Sequence, residues 1–299
     1  MEGRNRQADG LLLLTAAIWG FAFVAQRVGM ESVGPYTYNG VRFALGSASL
    51  LPLIAFGSRG GRAKPGGAWL RGGVLAGVVL FAGASLQQVG LVTTTAGKAG
   101  FITGLYVVIV PLLGLFWRQR PGAGTWLGAA LAAVGLYLLS VTGDFTIASG
   151  DVLELVGAFC WAGHVLLIGW LSPRTDVLKL ASVQCAVCSL FSLATAFAIE
   201  TVTLQGIVAA ALPILYGGLF SVGIAYTLQI VAQRHAHPAH TAILLSLEGT
   251  FAALGGWMLI GEELSPRALL GAGLMLAGML CSQLAPQAVT SPAAERGEA

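Results

Sequence analysis

Ten apolar stretches, each about as long as a lipid bilayer is thick, follow one another along the chain with only short separators between them. The hydrocarbon core of a bilayer is about 30 Å thick, and an α-helix needs about 20 apolar residues to cross it. Gly34-Pro35, Pro121-Gly122 and Ser265-Pro266 are among the helix-breaking separators. The pattern therefore predicts an all-α membrane protein with ten transmembrane helices. The predicted spans cover approximately residues 10–30, 35–57, 69–91, 97–117, 124–142, 151–171, 178–199, 207–231, 238–260 and 266–285.

The composition excludes a water-soluble protein. Only 10% of the residues are charged and 56% are apolar, whereas a soluble domain carries about 25% charged residues. The 42 glycines are scattered through the apolar stretches, which favours closely packed membrane helices. No basic run is interleaved with aromatic residues, so nucleic-acid binding has no support. The four cysteines lie in apolar segments without zinc or disulfide spacing, and we predict neither a metal nor a cofactor.

The distribution of positive charge predicts the orientation of the helices. Lys and Arg are retained in cytoplasmic loops, and a cytoplasmic N-terminus assigns twelve of the sixteen to that side. Both termini are then cytoplasmic, and the chain is a multi-pass protein of the cell inner membrane in contact with its lipids. The twelve residues are Arg4, Arg6, Arg59, Arg62, Lys64, Arg71, Arg118, Arg120, Arg174, Lys179, Arg234 and Arg296.

The chain resembles itself at an offset near 142 residues. The segment from Leu127 to Gly135 recurs from Leu270 to Gly278, in the last helix of each half. Other equivalent pairs are Trp19 and Trp161, Gln87 and Gln229, and Arg42 and Gln184. Because each half has five helices, the second half must enter the membrane from the opposite side. Inverted repeats are typical of secondary transporters, which bind substrate where the two halves meet.

The repeat divides the chain into four segments. Residues 1–9 are predicted as a cytoplasmic N-terminal segment, and residues 286–299 as a disordered cytoplasmic tail. The two five-helix repeats cover residues 10–143 and 150–285. The sequence leaves the oligomeric state open, a monomer included.

Two features of the repeats resemble a known group of proteins. Ten helices in two halves, with short basic loops and a Trp in the first helix of each half, are similar to the drug/metabolite transporter superfamily. The stretch from Ala252 to Glu262 resembles the EamA-like exporters within that superfamily. The resemblance covers residues 10–285 and implies a ten-helix fold that transports small molecules. Since some EamA-like exporters carry aromatic amino acids, it also points to such substrates.

The sequence departs from the family pattern at the ninth helix. Family members often carry Glu-Pro there, whereas Glu248 is followed by Gly249 in this chain. In the first half Pro111 is present without the acid.

Polar and aromatic residues inside the predicted spans are the candidates for substrate contact, because polar groups in hydrocarbon usually face the bundle interior or a wet cavity. Trp19 and Trp161 fall near mid-helix, where they either pack the halves together or line a pathway. The glutamines at 87 and 229 are either contacts in the two vestibules or helix–helix hydrogen bonds. The full set of candidate substrate-binding residues is Trp19, Phe23, Gln26, Gln87, Tyr106, Trp161, His164, Tyr226 and Gln229.

Glu248, His164 and Arg42 are the candidates for coupling transport to an ion. His164 is either a proton-linked switch, since imidazole titrates near neutral pH, or a neutral side chain bound to a neighbouring helix. Arg42 and Glu248 are interpreted as the two charges deepest in the bilayer. They either neutralise each other, or Arg42 reaches the outer headgroups.

The leading hypothesis is an exporter of small metabolites, with amino acids that include aromatic ones as substrates. The scarcity of deep cations argues against sugar phosphates, which need several Lys or Arg. A lipid or drug flippase is an alternative, as it needs a lateral groove that sequence does not reveal. An intramembrane enzyme is disfavoured because G-x-S-x-G and H-E-x-x-H motifs do not occur. Whether protons drive transport is left open.

Overall fold

The computed structural model describes residues 2–57, 68–93, 96–116, 121–140, 149–261 and 265–284, and all regular structure within them is helical. Seven of the described helices are long and apolar enough to cross a membrane, and three shorter apolar helices accompany them. The helices are α1 (Glu2–Gly29), α2 (Pro35–Gly57), α3 (Ala68–Thr93), α4 (Ala96–Gly104), α5 (Tyr106–Phe116), α6 (Ala123–Ser140), α7 (Ser149–Leu171), α8 (Val177–Ile199), α9 (Leu204–Ala209), α10 (Ala211–Leu215), a π-helix (Tyr216–Ala225), α11 (Tyr226–Ala232), α12 (Pro238–Leu245), α13 (Glu248–Ile260) and α14 (Pro266–Leu284).

The outer surface of the bundle is apolar and its interior is partly polar. Phe116, Leu204 and Leu212 are 84%, 77% and 78% exposed, whereas Arg42 and Glu248 are 5% and 6% exposed. A soluble protein would show the reverse distribution. The exposed side chains therefore match lipid, and the buried charged groups match an interior cavity.

Helix boundaries recur at the offset found in the sequence. Residues 35–57 form α2, and residues 177–199, which lie 142 further on, form α8. The fourth helix is broken in both halves, at Leu105 between α4 and α5 and at residues 246–247 between α12 and α13. Pro111 lies within α5 rather than at the break. The two halves thus share a detail of the backbone that apolar patterning does not encode.

Reciprocal hydrogen bonds join α2 to α8. The hydroxyl of Ser47 donates to the carbonyl of Ser182 at 2.9 Å, and that of Ser189 donates to the carbonyl of Gly40 at 2.8 Å. Ser189 is the equivalent of Ser47, and Ser182 is the equivalent of Gly40. The contact is therefore of the self-complementary kind that a two-fold relation produces. Because contact positions rise along α2 while they fall along α8, the two helices run antiparallel.

Glycines form the second reciprocal contact, between α6 and α14. A Cβ built on Gly128 would lie 2.7 Å from the carbonyl oxygen of Gly278, and one built on Gly135 would lie 2.5 Å from that of Gly271. Distances this short require glycine, since even an alanine methyl would overlap the facing backbone. Here too the helices run antiparallel, as the higher position on α6 meets the lower position on α14.

The first helix begins earlier than the sequence predicted. We expected it to start near residue 10, but α1 begins at Glu2. Asp9 lies on this extra length and pairs with His240 of α12 at 2.8 Å, while the other ring nitrogen of His240 contacts the hydroxyl of Ser282 at 2.9 Å. The two boundaries differ because hydropathy alone reports only the lipid-crossing part of a helix. The predicted tail at 286–299 and the basic residues at 59–64 and 118–120 lie outside the described residues.

Candidate functional site

One cavity in the centre of the bundle is lined by all eleven residues that the sequence singled out. Its volume is only about 40 Å³. Since one water needs at least about 10–15 Å³ by that measure, the cavity has room for roughly three. The lining includes Trp19, Phe23, Gln26, Arg42, Gln87, Tyr106, Trp161, His164, Tyr226, Gln229 and Glu248.

Tyr106 and Glu248 meet in this cavity across the two halves. The hydroxyl of Tyr106 donates to Oε1 of Glu248 at 2.9 Å, and the two residues are 142 positions apart. They are therefore equivalent residues, each at the first position after a helix break. Glu248 begins α13, directly after the turn at residues 246–247. The helix breaks of both halves thus lie at the cavity, where they place Tyr106 next to Glu248.

Arg42 lies on the cavity wall without an acidic partner among the described residues. Its Nε donates to Oδ1 of Asn39 at 3.0 Å, and its guanidinium carbon lies 4.9 and 5.3 Å from the ring centroids of Phe43 and Tyr38. These ring contacts stabilise a cation that has left water. No ion pair joins Arg42 to Glu248, although both side chains are described. The pairing considered from the sequence is therefore not seen in this structure, and contact of Arg42 with the outer headgroups stays a prediction.

The two equivalent tryptophans have different hydrogen bonds. Nε1 of Trp19 donates to the carbonyl of Ser221 at 3.0 Å, which belongs to the π-helix, a rare form often found at functional sites. Nε1 of Trp161 is buried and has no hydrogen-bond partner among the described residues. The residue equivalent to Ser221 is Val79, which lies in the regular helix α3. The indole N–H of Trp161 is therefore without a partner in the described structure, whereas that of Trp19 is hydrogen-bonded.

His164 and Tyr226 complete an aromatic cluster with these tryptophans. The ring centroids of Trp19 and Tyr226 are 4.8 Å apart, and His164 lies edge-on at 6.0 Å from Tyr226 and 6.2 Å from Trp161. Nε2 of His164 is 3.1 Å from Oε1 of Gln184 on α8. This hydrogen bond joins α7 to α8, as expected for a neutral His164 that is bound to a neighbouring helix. The cluster forms a continuous aromatic wall from one half to the other.

Sequence reasoning missed an acid next to this cavity. Glu154 of α7 is fully buried at 0% exposure, and its Oε2 accepts a hydrogen bond of 2.8 Å from Thr103, which lines the cavity. Glu154 lies near the start of the span predicted at residues 151–171 and is not among the candidates named from the sequence. The rule that an ionisable residue within a span indicates function could have found it. Glu248 is thus not the only acid enclosed in the described bundle.

Comparison with known proteins identifies the family. The model of the EamA-like transporter family matches this chain twice, at residues 6–141 and 148–283. The chain belongs to the EamA-like transporter family. A protein of Archaeoglobus fulgidus named an uncharacterized transporter is 32% identical over 287 residues, which cover 95% of this chain and 88% of that protein.

Other relatives are more distant but cover a similar length. The uncharacterized inner membrane transporter YedA of Escherichia coli strain K12 is 28% identical over 281 residues, covering 89% of this chain and 87% of YedA. A solved crystal structure with 18% identity superposes on 93% of this chain and 96% of its own with a TM-score of 0.77, which shows the same fold. This EamA-like transporter is a multi-pass protein of the inner membrane.

Proposed function

We propose that this EamA-like transporter exports small zwitterionic metabolites, namely amino acids that include aromatic ones, by alternating access. The observation that supports the proposal most directly is a pair of opposite charges on one cavity. Arg42 and Glu248 both line it, both are buried, and they do not pair with each other. An α-amino acid carries one group complementary to each. Its carboxylate would bind the guanidinium and its ammonium would bind the carboxylate.

Charge balance is the physical reason for this assignment. A buried charge without a partner is costly, by several kcal/mol in effective terms, and the cavity holds one of each sign. A zwitterion offsets both costs, whereas a cation or an anion offsets only one. The aromatic wall of Trp19, Trp161 and Tyr226 would then contact the substrate side chain, with ring contacts worth about 0.5–1.5 kcal/mol beyond burial.

The narrowness of the cavity supports a moving rather than a static site. Space for roughly three waters is too little for an amino acid, so the walls must separate before a substrate enters. In our proposal the ten helices form two inverted halves that exchange conformations around the Tyr106–Glu248 contact. The antiparallel, reciprocal contacts of α2 with α8 and of α6 with α14 are consistent with such halves.

In the proposed orientation both termini lie in the cytoplasm, and cysteine labelling can test this. In a background without the four native cysteines, His235→Cys and Pro173→Cys should resist a membrane-impermeant maleimide added to intact cells. Thr201→Cys and Gln205→Cys, which are exposed positions at the opposite helix ends, should react. The reason is that Lys and Arg accumulate in cytoplasmic loops. Labelling with the opposite pattern would contradict this orientation.

The tryptophan pair offers a test of the aromatic wall. Trp19→Ala or Trp161→Ala should each raise the apparent KM for phenylalanine by up to roughly tenfold, with protein still present in the membrane. Trp161→Phe should raise KM and cost only the packing of the larger ring, because its indole N–H has no hydrogen-bond partner to lose among the described residues. Trp19→Phe should lower stability further, since it also removes the hydrogen bond from the indole N–H to the Ser221 carbonyl. Unchanged transport by the double Ala variant would contradict the assignment.

The substrate class is tested by transport into proteoliposomes with matched aromatic probes. Labelled phenylalanine is compared with phenethylamine, which lacks the carboxylate, and with 3-phenylpropionate, which lacks the ammonium. We expect phenylalanine to be transported and to be inhibited weakly by either analogue. Preference for phenethylamine would favour a cationic drug substrate instead, and transport of labelled phospholipid would favour a flippase. No chemical conversion of the substrate is part of the proposal.

A further inference from the structure

Glu154 is enclosed by two helices in a way that leaves half of its carboxyl group without a partner. Oε2 accepts the 2.8 Å hydrogen bond from Thr103 of α4, whereas Oε1 has no hydrogen-bond partner among the described residues. A Cβ built on Gly90 of α3 would lie 2.8 Å from Oε1. The missing side chain at Gly90 therefore provides the space that this oxygen occupies. A buried carboxylate with one hydrogen bond is poorly compensated.

The groups around Glu154 do not supply a compensating cation within the described part of the chain. The helices packed against α7 are α3, α4, α5 and α12. Arg71 of α3 lies nineteen positions from Gly90, at the other end of that helix, and His240 of α12 is held by Asp9. The titratable side chains of these helices and of α7 are Arg71, Lys98 (whose side chain lies outside the described residues), Tyr106, Asp151, Cys160, His164 and His240.

We propose that Glu154 is a proton-binding site that is coupled to the central cavity through the hydroxyl of Thr103. This inference rests on the proposed transport function for its role, but not for the existence of the site. A hydroxyl has one hydrogen to donate and two lone pairs that accept. While Glu154 is ionised it can only accept, so Thr103 donates to it and offers only lone pairs to the cavity. Once a proton binds to Oε2, the acid donates to the oxygen of Thr103, and the hydroxyl hydrogen of Thr103 turns towards the cavity.

This reversal links the proton to the substrate. Thr103 precedes Tyr106 by three positions, across the break after Gly104, and both line the cavity. Tyr106 binds Glu248, so the ammonium group of a substrate at Glu248 would lie on the same side of the cavity as Thr103. An ammonium group only donates hydrogen bonds, so it favours the state in which Thr103 offers lone pairs to the cavity, which is the ionised state of Glu154. Substrate binding then favours release of the proton, as exchange of one proton for one substrate requires.

A proton fits this site better than a metal ion. Only one carboxyl group and one hydroxyl converge here, and no group of three or more metal-binding side chains occurs in the described residues. Sodium and larger cations need several oxygen ligands. The proton needs one, which Oε2 provides, and this is the oxygen that faces Thr103.

The first test detects the site without any substrate. Infrared difference spectra between acidic and alkaline pH are recorded on the purified, full-length protein in lipid. We expect a carboxylic-acid C=O band that disappears in Glu154→Gln and shifts in Thr103→Val, while Glu31→Gln, an exposed acid, leaves it unchanged. Thr103→Ser should restore the wild-type position. A band that is unaffected by Glu154→Gln would overturn the proposal, even if amino-acid transport were established.

The second test separates coupling from transport in proteoliposomes. With labelled phenylalanine and the membrane potential clamped, one proton exchanged per substrate allows an accumulation of up to about tenfold per pH unit. Glu154→Gln should reduce accumulation to the equilibrium ratio of one while counterflow exchange continues. If the wild type carries no amino acid, the proposed function fails and the infrared result still decides the site. Accumulation driven by pH in Glu154→Gln, or by sodium alone in the wild type, would contradict the proposal.

Discussion

Arg42→Gln is expected to abolish the preference for zwitterionic substrates. The guanidinium is the one buried cation that lines the described cavity. Removing one member of a buried, hydrogen-bonded charge pair costs about 2–5 kcal/mol, which corresponds to about 30-fold or more in apparent affinity. Transport of phenylalanine should therefore show at least that increase in KM. Arg42→Lys should recover only part of the loss, because an ammonium group cannot bind a carboxylate with two parallel hydrogen bonds.

The control for Arg42 is a cation that does not line the cavity. Arg267 is exposed on α14 and lies over the ring of Tyr137, so Arg267→Gln removes the same charge without touching the site. It should leave KM unchanged. A complementary change is expected for Glu248→Gln, which should shift preference from phenylalanine to 3-phenylpropionate. If Arg42→Gln carries phenylalanine with wild-type KM, the carboxylate does not bind at Arg42.

Gly278→Ala and Gly273→Ala, two substitutions in the same helix, are expected to change stability in opposite directions. A Cβ at Gly278 would lie 2.6 Å from the carbonyl oxygen of Gly128, whereas a Cβ at Gly273 meets nothing within 4 Å. Overpacking against a backbone costs about 1–3 kcal/mol, while Gly→Ala in an open helix position gains up to about 1 kcal/mol. Gly278→Ala should therefore lower the temperature of unfolding in detergent and Gly273→Ala should raise it.

A larger side chain extends the glycine test. Gly278→Leu should remove folded protein from the membrane, because α6 and α14 could no longer approach each other, whereas Gly273→Leu should still give folded protein. Size-exclusion chromatography after solubilisation measures the folded fraction. Equal behaviour of the two leucine variants would mean that the contact between Gly128 and Gly278 does not hold the halves together.

Sequence patterning predicted much of the helical framework and the composition of the site. The span predicted at residues 35–57 agrees with α2, and the break after Gly104 falls within the span predicted at 97–117. The offset of 142 related Trp19 to Trp161, and both line the same cavity. Whether the helices number ten in the membrane, and which termini are cytoplasmic, remain predictions that labelling can test. Hydropathy does not predict the type of helix, because the apolar run of the eighth span gives no indication of the π-helix within it.

The hydrogen-bond partners of the residues that line the cavity could not be predicted from the sequence. Arg42 and Glu248 are charges of opposite sign in neighbouring parts of the bundle, yet Glu248 binds Tyr106 and Arg42 binds Asn39. Trp19 and Trp161 are equivalent in the repeat, yet within the described part of the chain only the indole N–H of Trp19 has an acceptor. Equivalent positions thus share a place in the fold but not their hydrogen bonds.

The sequence by itself determined that this protein lies in a membrane and that its two halves repeat. Both properties follow from local patterns, since the thickness of the bilayer fixes the length of an apolar run and a duplicated run recurs at a constant offset. Only the tertiary structure decided that Glu154 meets Thr103, 51 positions away, and that Trp19 meets Ser221, 202 positions away. Such contacts depend on how closely the helices approach one another and on which of their faces meet. Neither quantity is encoded in the hydropathy of a single segment.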